Sequence, residues 1–139
     1  MSVSVRSEFS KRSRWWLSKH RFLELYHYCL QYREWKAELK SLDGRRAVTY
    51  DAASGGGGSG DPTFSLAARR TELEGKILTV EECAFEADGE LAKYILLGVT
   101  DDNVTYNFMD QRLGIPCSKN TYYDKRRKFF FILDKKMTV

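Results

Sequence analysis

Leu113-Gly114-Ile115-Pro116-Cys117-Ser118-Lys119-Asn120-Thr121-Tyr122-Tyr123-Asp124-Lys125-Arg126-Arg127-Lys128-Phe129-Phe130 is the stretch that decides how this chain of 139 residues is read. Gly114 accepts a positive φ and so turns the chain. Ile115 plugs the angle between two helices, and Pro116 keeps the first of them from continuing. Ser118 is a good N-cap, because its hydroxyl accepts a bond from the free N–H groups that open a helix. Upstream, Asn103 or Thr105 can cap a helix ending at Leu113, with Tyr106, Met109 and Leu113 on its inner face. A helix, a glycine turn and a second, basic helix over about residues 103–136 predict a helix-turn-helix.

Helical phase sorts the second helix. At 3.6 residues per turn, Tyr122, Arg126, Phe129 and Leu133 share one stripe and are assigned to the core, with Arg126 at its edge. Lys119, Asn120, Tyr123 and Arg127 fall on the opposite side. A helix held this way enters the major groove of duplex DNA with its N-terminal residues. There Asn pairs with adenine, and Arg or Lys with guanine or phosphate, while the helix N-terminus attracts phosphate. The expected DNA-contacting residues are Ser118, Lys119, Asn120, Tyr123, Lys125, Arg126, Arg127 and Lys128. A plain amphipathic helix with a solvated charge run is the bland alternative. The conjunction of turn chemistry, cap and charge of one sign weighs against it.

Charge is unevenly spread around this stretch. Residues 1–60 hold 11 basic and 6 acidic side chains, residues 61–103 hold 4 and 10, and residues 104–139 hold 8 and 3. Two basic ends flanking an acidic middle are a footprint of polyanion binding. The N-terminal end gathers Arg6, Lys11, Arg12, Arg14, Lys19 and Arg21 around Trp15 and Trp16. Arg12, Arg14 and Lys19 are candidates for a second DNA contact, against the reading of a basic surface with tryptophans in a core.

The rest of the chain predicts an all-α fold: a helical bundle with a C-terminal helix-turn-helix and a long N-terminal helix. From about Lys11 to Leu42, the residues Leu25, Tyr28, Tyr32, Trp35, Leu39 and Leu42 follow one helical stripe, with a break expected near Ser18. Asp43-Gly44 is expected to stop that helix, and residues 43–60, rich in Gly and Ser, read as a flexible linker. This divides the chain into a basic, aromatic helix over 1–42, a linker over 43–60 and a helical domain over 61–139. Asp61-Pro62 should start the next helix, Asp88-Gly89 should end it, and Glu90 to Leu97 should form a shorter one stopped by Gly98. Leu66, Leu73, Ile77, Val80, Ala84 and Ala87 keep heptad-like spacing, while Glu72, Glu74, Glu81, Glu82 and Glu86 face outward.

Little here suggests chemistry. Cys29, Cys83 and Cys117 show neither metal-ligand spacing nor a disulfide framework. His20 and His27 read as packed or surface residues. Gly55 to Gly60 lacks the flanking elements of a phosphate loop. No catalytic residue, metal or cofactor is expected, and the chain reads as a non-enzyme. No apolar run is long enough to span a membrane, and no secretory signal is apparent, so a cytoplasmic location is the simple expectation.

The segment from Asp61 to Lys136 resembles the RinA/ArpU group of phage late-gene transcriptional regulators from Gram-positive hosts. The resemblance rests on Asp61-Pro62-Thr63, on Tyr94-Ile95-Leu96-Leu97-Gly98-Val99, and above all on Leu113 to Ser118 followed by Thr121-Tyr122-Tyr123 and Arg126 to Phe130. It covers a little over half of the chain, and the last block is the specific part. Its departure is the length between Gly114 and Thr121, which exceeds the usual helix-turn-helix spacing. The resemblance implies promoter-proximal binding in the nucleoid of a bacterial host and activation of phage genes, with RNA polymerase as a further partner. A small terminase subunit for DNA packaging and a helical protein-binding adaptor are the competing readings. Finally, Phe129 to Leu133 covers more than a full helical turn, so something besides a two-helix motif must shield it. A homodimer is expected on that ground.

Overall fold

The computed structural model describes residues 13–52 and 62–138, the side chains of 45–52 and 62–64 excepted. Every regular element among them is helical, so the fold is all-α. The first helix, α1 (Lys19–Leu30), starts where Ser18 can cap it: Ser18 is extended, and its Oγ accepts from the Arg21 N–H at 3.4 Å. It buries Phe22, Leu25, Tyr26 and Cys29. Gln31 closes it by donating to the Tyr28 carbonyl at 3.1 Å, and α2 (Tyr32–Ala52) resumes at once. The expected single helix is therefore two, and the break falls at Gln31, with Ser18 acting as a start.

Asp43-Gly44 does not stop α2, which runs on to Ala52. A glycine inside a helix costs about 1 kcal/mol relative to Ala, and local ties hold the helix through it. Leu42 is buried, and Asp43 pairs with Arg70 of α3 (Pro62–Ala87). Tyr32–Leu78 forms one compact unit. In it the pairs Trp35 with Lys76, Glu38 with Arg69 and Asp43 with Arg70 run in opposite chain directions. They tie an antiparallel helix pair whose buried residues include Tyr32, Trp35, Leu42, Leu73 and Ile77. The Gly/Ser-rich stretch from residue 53 and the Asp61 cap lie outside the described residues.

The second unit joins the chain up to Gln31 with Thr79 onward. α3 ends at Ala87 as its sequence predicts, because Asp88 turns the chain: its Oδ1 accepts from the N–H groups of Glu90 at 2.9 Å and Leu91 at 3.0 Å. The next helix, α4 (Ala92–Thr100), runs through Gly98 and does not stop there. A Cβ at Gly98 would overlap the Tyr122 hydroxyl and lie 3.1 Å from the Tyr122 Cζ. This glycine is required by close approach, not by a turn.

The core of this unit is an aromatic seam between α1 and the last helix, α6 (Lys119–Thr138). Phe22 meets Phe130 edge-on at 5.0 Å, and Trp15 meets Phe131 at 5.4 Å. Each such pair adds about 0.5–1.5 kcal/mol beyond its area. Phe129, Phe130 and Leu133 are fully buried, and Phe131 and Ile132 half-buried. The cover that this run needs comes from α1 of the same chain, so the aromatics give no ground for a second copy.

Two outcomes follow from this packing. Gly98→Ala should cost about 1–3 kcal/mol by overpacking a buried ring, whereas Gly75→Ala, with nothing near its added Cβ, should stabilise by up to about 1 kcal/mol. Urea unfolding of both variants measures the contrast. Sedimentation of the free protein should give the 16.1 kDa chain mass and not twice it.

Candidate nucleic-acid interface

The turn before α6 is assembled from local bonds. Thr105 caps the short helix α5 (Tyr106–Phe108), its Oγ1 accepting from the Phe108 N–H at 3.2 Å. α5 passes directly into a π-helical stretch, Met109–Leu113, which ends at Gly114 with φ 63° and ψ 44°. The Gly114 N–H donates to the Met109 carbonyl, and the Ile115 N–H reaches the same oxygen at 3.2 Å. A π-turn is wider than an α-turn, so the residues after Met109 are rotated from their α-helical phase. Met109 is buried and Tyr106 half-buried, but Leu113 is 42% exposed and not on the inner face assigned to it from α-helical spacing.

Three contacts then fix the entry to α6. The Tyr106 hydroxyl donates to the Cys117 carbonyl at 2.6 Å. Desolvation pushes this hydroxyl above the usual phenol range, with Asp110 and Cys117 adding to it, so it remains a donor at neutral pH. Ile115 is buried, as its role as a plug requires. Ser118 caps α6: its Oγ accepts from the Thr121 N–H at 3.2 Å and donates to Thr121 Oγ1 at 3.0 Å.

The expected contact residues separate into three groups. Ser118, Lys119 and Asn120 are exposed, and Lys119 makes no ion pair among the described residues. Tyr123 stands beside them half-buried, edge-on to Tyr122 at 5.1 Å. Lys125 is turned toward Asp88 at 3.7 Å. Lys128 is half-buried with its Nζ 5.6 Å from the Trp15 ring centroid, and the Arg127 side chain is only 17% exposed.

Arg126 departs from its assignment as a contact. It is 8% exposed, its guanidinium lies 5.2 Å from the Phe130 ring, and it shares its surroundings with Tyr26 and Asp102. Burial raises the Tyr26 hydroxyl, Asp102 adds to the rise, and Arg126 offsets part of it. The stripe placed Arg126 correctly with Tyr122, Phe129 and Leu133, and a residue on that stripe is not available to a groove. Of the N-terminal candidates, Arg14 and Lys19 are exposed, and Arg12 lies outside the described residues. Residue types alone pass over Thr121, which is exposed on the capped turn, whereas Trp15, already marked by its basic neighbours in the sequence, is brought to α6 by the fold. The spacing from Ser118 to Thr121 is a signal that could have found the first.

Cys29 and Cys83 are buried, while Cys117 lies next to the Ser118 cap. Burial pushes the Cys29 thiol far above the usual range and Cys83 up to about 12, while Cys117 is raised less. Among the described residues, no helix is long and apolar enough to cross a membrane. Comparison of the chain with known protein families, with curated proteins and with solved structures finds no match to any of them.

Arg126→Ala should lower stability by on the order of 2 kcal/mol through lost packing, while Asn120→Ala should leave the melting temperature unchanged. Thermal melts of the two variants distinguish a core arginine from a surface asparagine. The Cys83 thiol has a folded pKa above its ordinary value of 9.0. The folded state therefore holds its proton longer than the unfolded state does. Its contribution is full below pH 9 and falls as pH rises toward about 12, by about 1.4 kcal/mol per pH unit. Cys83→Ala should flatten that alkaline fall in unfolding curves.

Proposed function

We propose that the chain is a sequence-specific duplex-DNA-binding regulator, and not an enzyme, that reads the major groove with the opening turns of α6. The observation that carries this reading is the state of that turn. Ser118 caps it, Ile115 and the Tyr106–Cys117 bond anchor it, and Lys119 and Asn120 project from it exposed, the former with no carboxylate partner among the described residues. Side chains held on a rigid element and left unpaired are what base-edge and phosphate contacts need. Tyr123 and Thr121 complete the surface, and Arg126 is withdrawn from it.

The resemblance to phage late-gene regulators extends the proposal to activation of phage genes near promoters, with RNA polymerase as a further partner and the nucleoid of a bacterial host as the place of action. A second copy of the chain enters only as the partner that a two-fold operator calls for. A ring of eight or more subunits by light scattering would instead favour DNA packaging.

Affinity for duplex DNA should fall steeply with salt. Neutralising about 5 phosphates gives a log–log slope near −4 to −5, and titration at several salt concentrations measures it; affinity flat with salt would sink the proposal. Asn120→Ala and Tyr123→Ala should flatten preference among sequences with a smaller effect on non-specific binding. Equal losses on specific and random duplexes would show that these side chains do not read bases.

A further inference from the structure

Two cations meet one indole on the side of α6 behind its first turns, and Arg127 directly precedes one of them in the chain. The Arg14 guanidinium carbon lies 4.9 Å from the Trp15 ring centroid and the Lys128 Nζ 5.6 Å from it. Trp15 in turn rests on Phe131, one helical turn beyond Arg127 and Lys128. Neither Arg14 nor Lys128 has a carboxylate partner among the described residues, and Arg127 has only Asp124 at 3.9 Å. Asp134, on the next turn, is engaged by Arg21 at 2.5 Å. Among the described residues, two buried donors lack an acceptor, the Trp15 Nε1–H and the Arg127 Nε–H. Like charges gathered on one ring, beside donors that nothing satisfies, leave a folded chain short of an anion with oxygen acceptors.

We infer that Arg14, Trp15, Arg127 and Lys128 form a second anion-binding point, taking a backbone phosphate of the duplex whose groove the first turn of α6 enters. This rests on the DNA reading above, and helix length supports it. Lys128 follows Lys119 by nine residues, about 13 Å along the axis at about 1.5 Å per residue. The major groove is about 8.5 Å deep. A helix entering end-on with its N-terminus at the groove floor therefore has residue 128 about 5 Å outside the rim, a distance a lysine side chain can span back to the phosphates. Arg14 is exposed and so is open to an arriving phosphate oxygen. The N-terminal segment thereby becomes part of the interface through α6.

The test uses the full chain and two variants, Arg14→Gln combined with Lys128→Gln, and Trp15→Phe, which keeps an aromatic ring but removes the N–H. The double variant should bind duplex DNA at least about fivefold more weakly at low salt, with a log–log slope shallower by about 1–2 and unchanged base preference. The indole N–H resonance that Trp15→Phe deletes from the nitrogen–proton spectrum should shift when duplex is added to the wild type. If wild type binds duplex and the double variant keeps both affinity and slope, the second point is wrong. If wild type binds no duplex, the DNA reading itself fails and takes this inference with it. An indole shift as large with inorganic phosphate alone as with duplex assigns the point to a free phosphate and overturns the backbone assignment.

Discussion

The Tyr122 hydroxyl occupies the space that a Cβ on Gly98 would fill. Because that atom is missing, α4 and the first turns of α6 approach closely, and the Met109 thioether closes the same junction. Tyr122 is fully buried, and Ile115 sits beneath the turn that leads to it. The angle at which α6 leaves the turn is thereby set by packed, uncharged atoms. Ser118 adds the cap, while Lys119 and Asn120 of the opening turn take no part in that packing and stand exposed.

Charge is arranged around that frame by pairing. Lys136 is shared between Glu82 at 3.9 Å and Glu86 at 3.2 Å, Lys125 faces Asp88, and Asp134 holds Arg21. Exposed pairs of this kind contribute little to stability. What they do is cancel positive charge at particular places. Glu82 and Glu86 from the acidic middle hold Lys136 at the far end of α6, while Lys119 at its start and Lys128 beside Trp15 have no carboxylate partner among the described residues. Charge totals along the chain do not reveal this division, since it depends on which helix faces which.

Local chemistry was legible where nothing distant competes with it. Ser118 as a cap, Gly114 at positive φ, the end of α3 at Ala87 and the buried stripe of Tyr122, Phe129 and Leu133 all follow from neighbours within a turn or two. Asp43-Gly44 and Asp88-Gly89 show the limit. The two dipeptides are identical, yet Asp88 caps the following backbone while Asp43 is held by Arg70, and only Asp88-Gly89 ends a helix. Gly98 was misread for the same reason, since its partner Tyr122 is far away in sequence. The π-turn after Met109 moved Leu113 out of its assigned place. In the interface, the exposed turn was readable from the cap, whereas the burial of Arg126 needed its stripe to be weighted above its charge. The meeting of Trp15 with Lys128 is a tertiary contact that no local pattern encodes.

Lys136 is pinned by Glu82 and Glu86 near one end of α6, whereas Lys119 at the other end is bare of carboxylates among the described residues. Under the proposed DNA binding, an approaching polyanion feels this unevenness of charge before any atom touches. Most encounters then begin with the bare end leading, and fewer collisions are lost to wrong orientations. On that proposal the carboxylates of Glu82 and Glu86, by holding Lys136, bear on how often the turn at Ser118 arrives first.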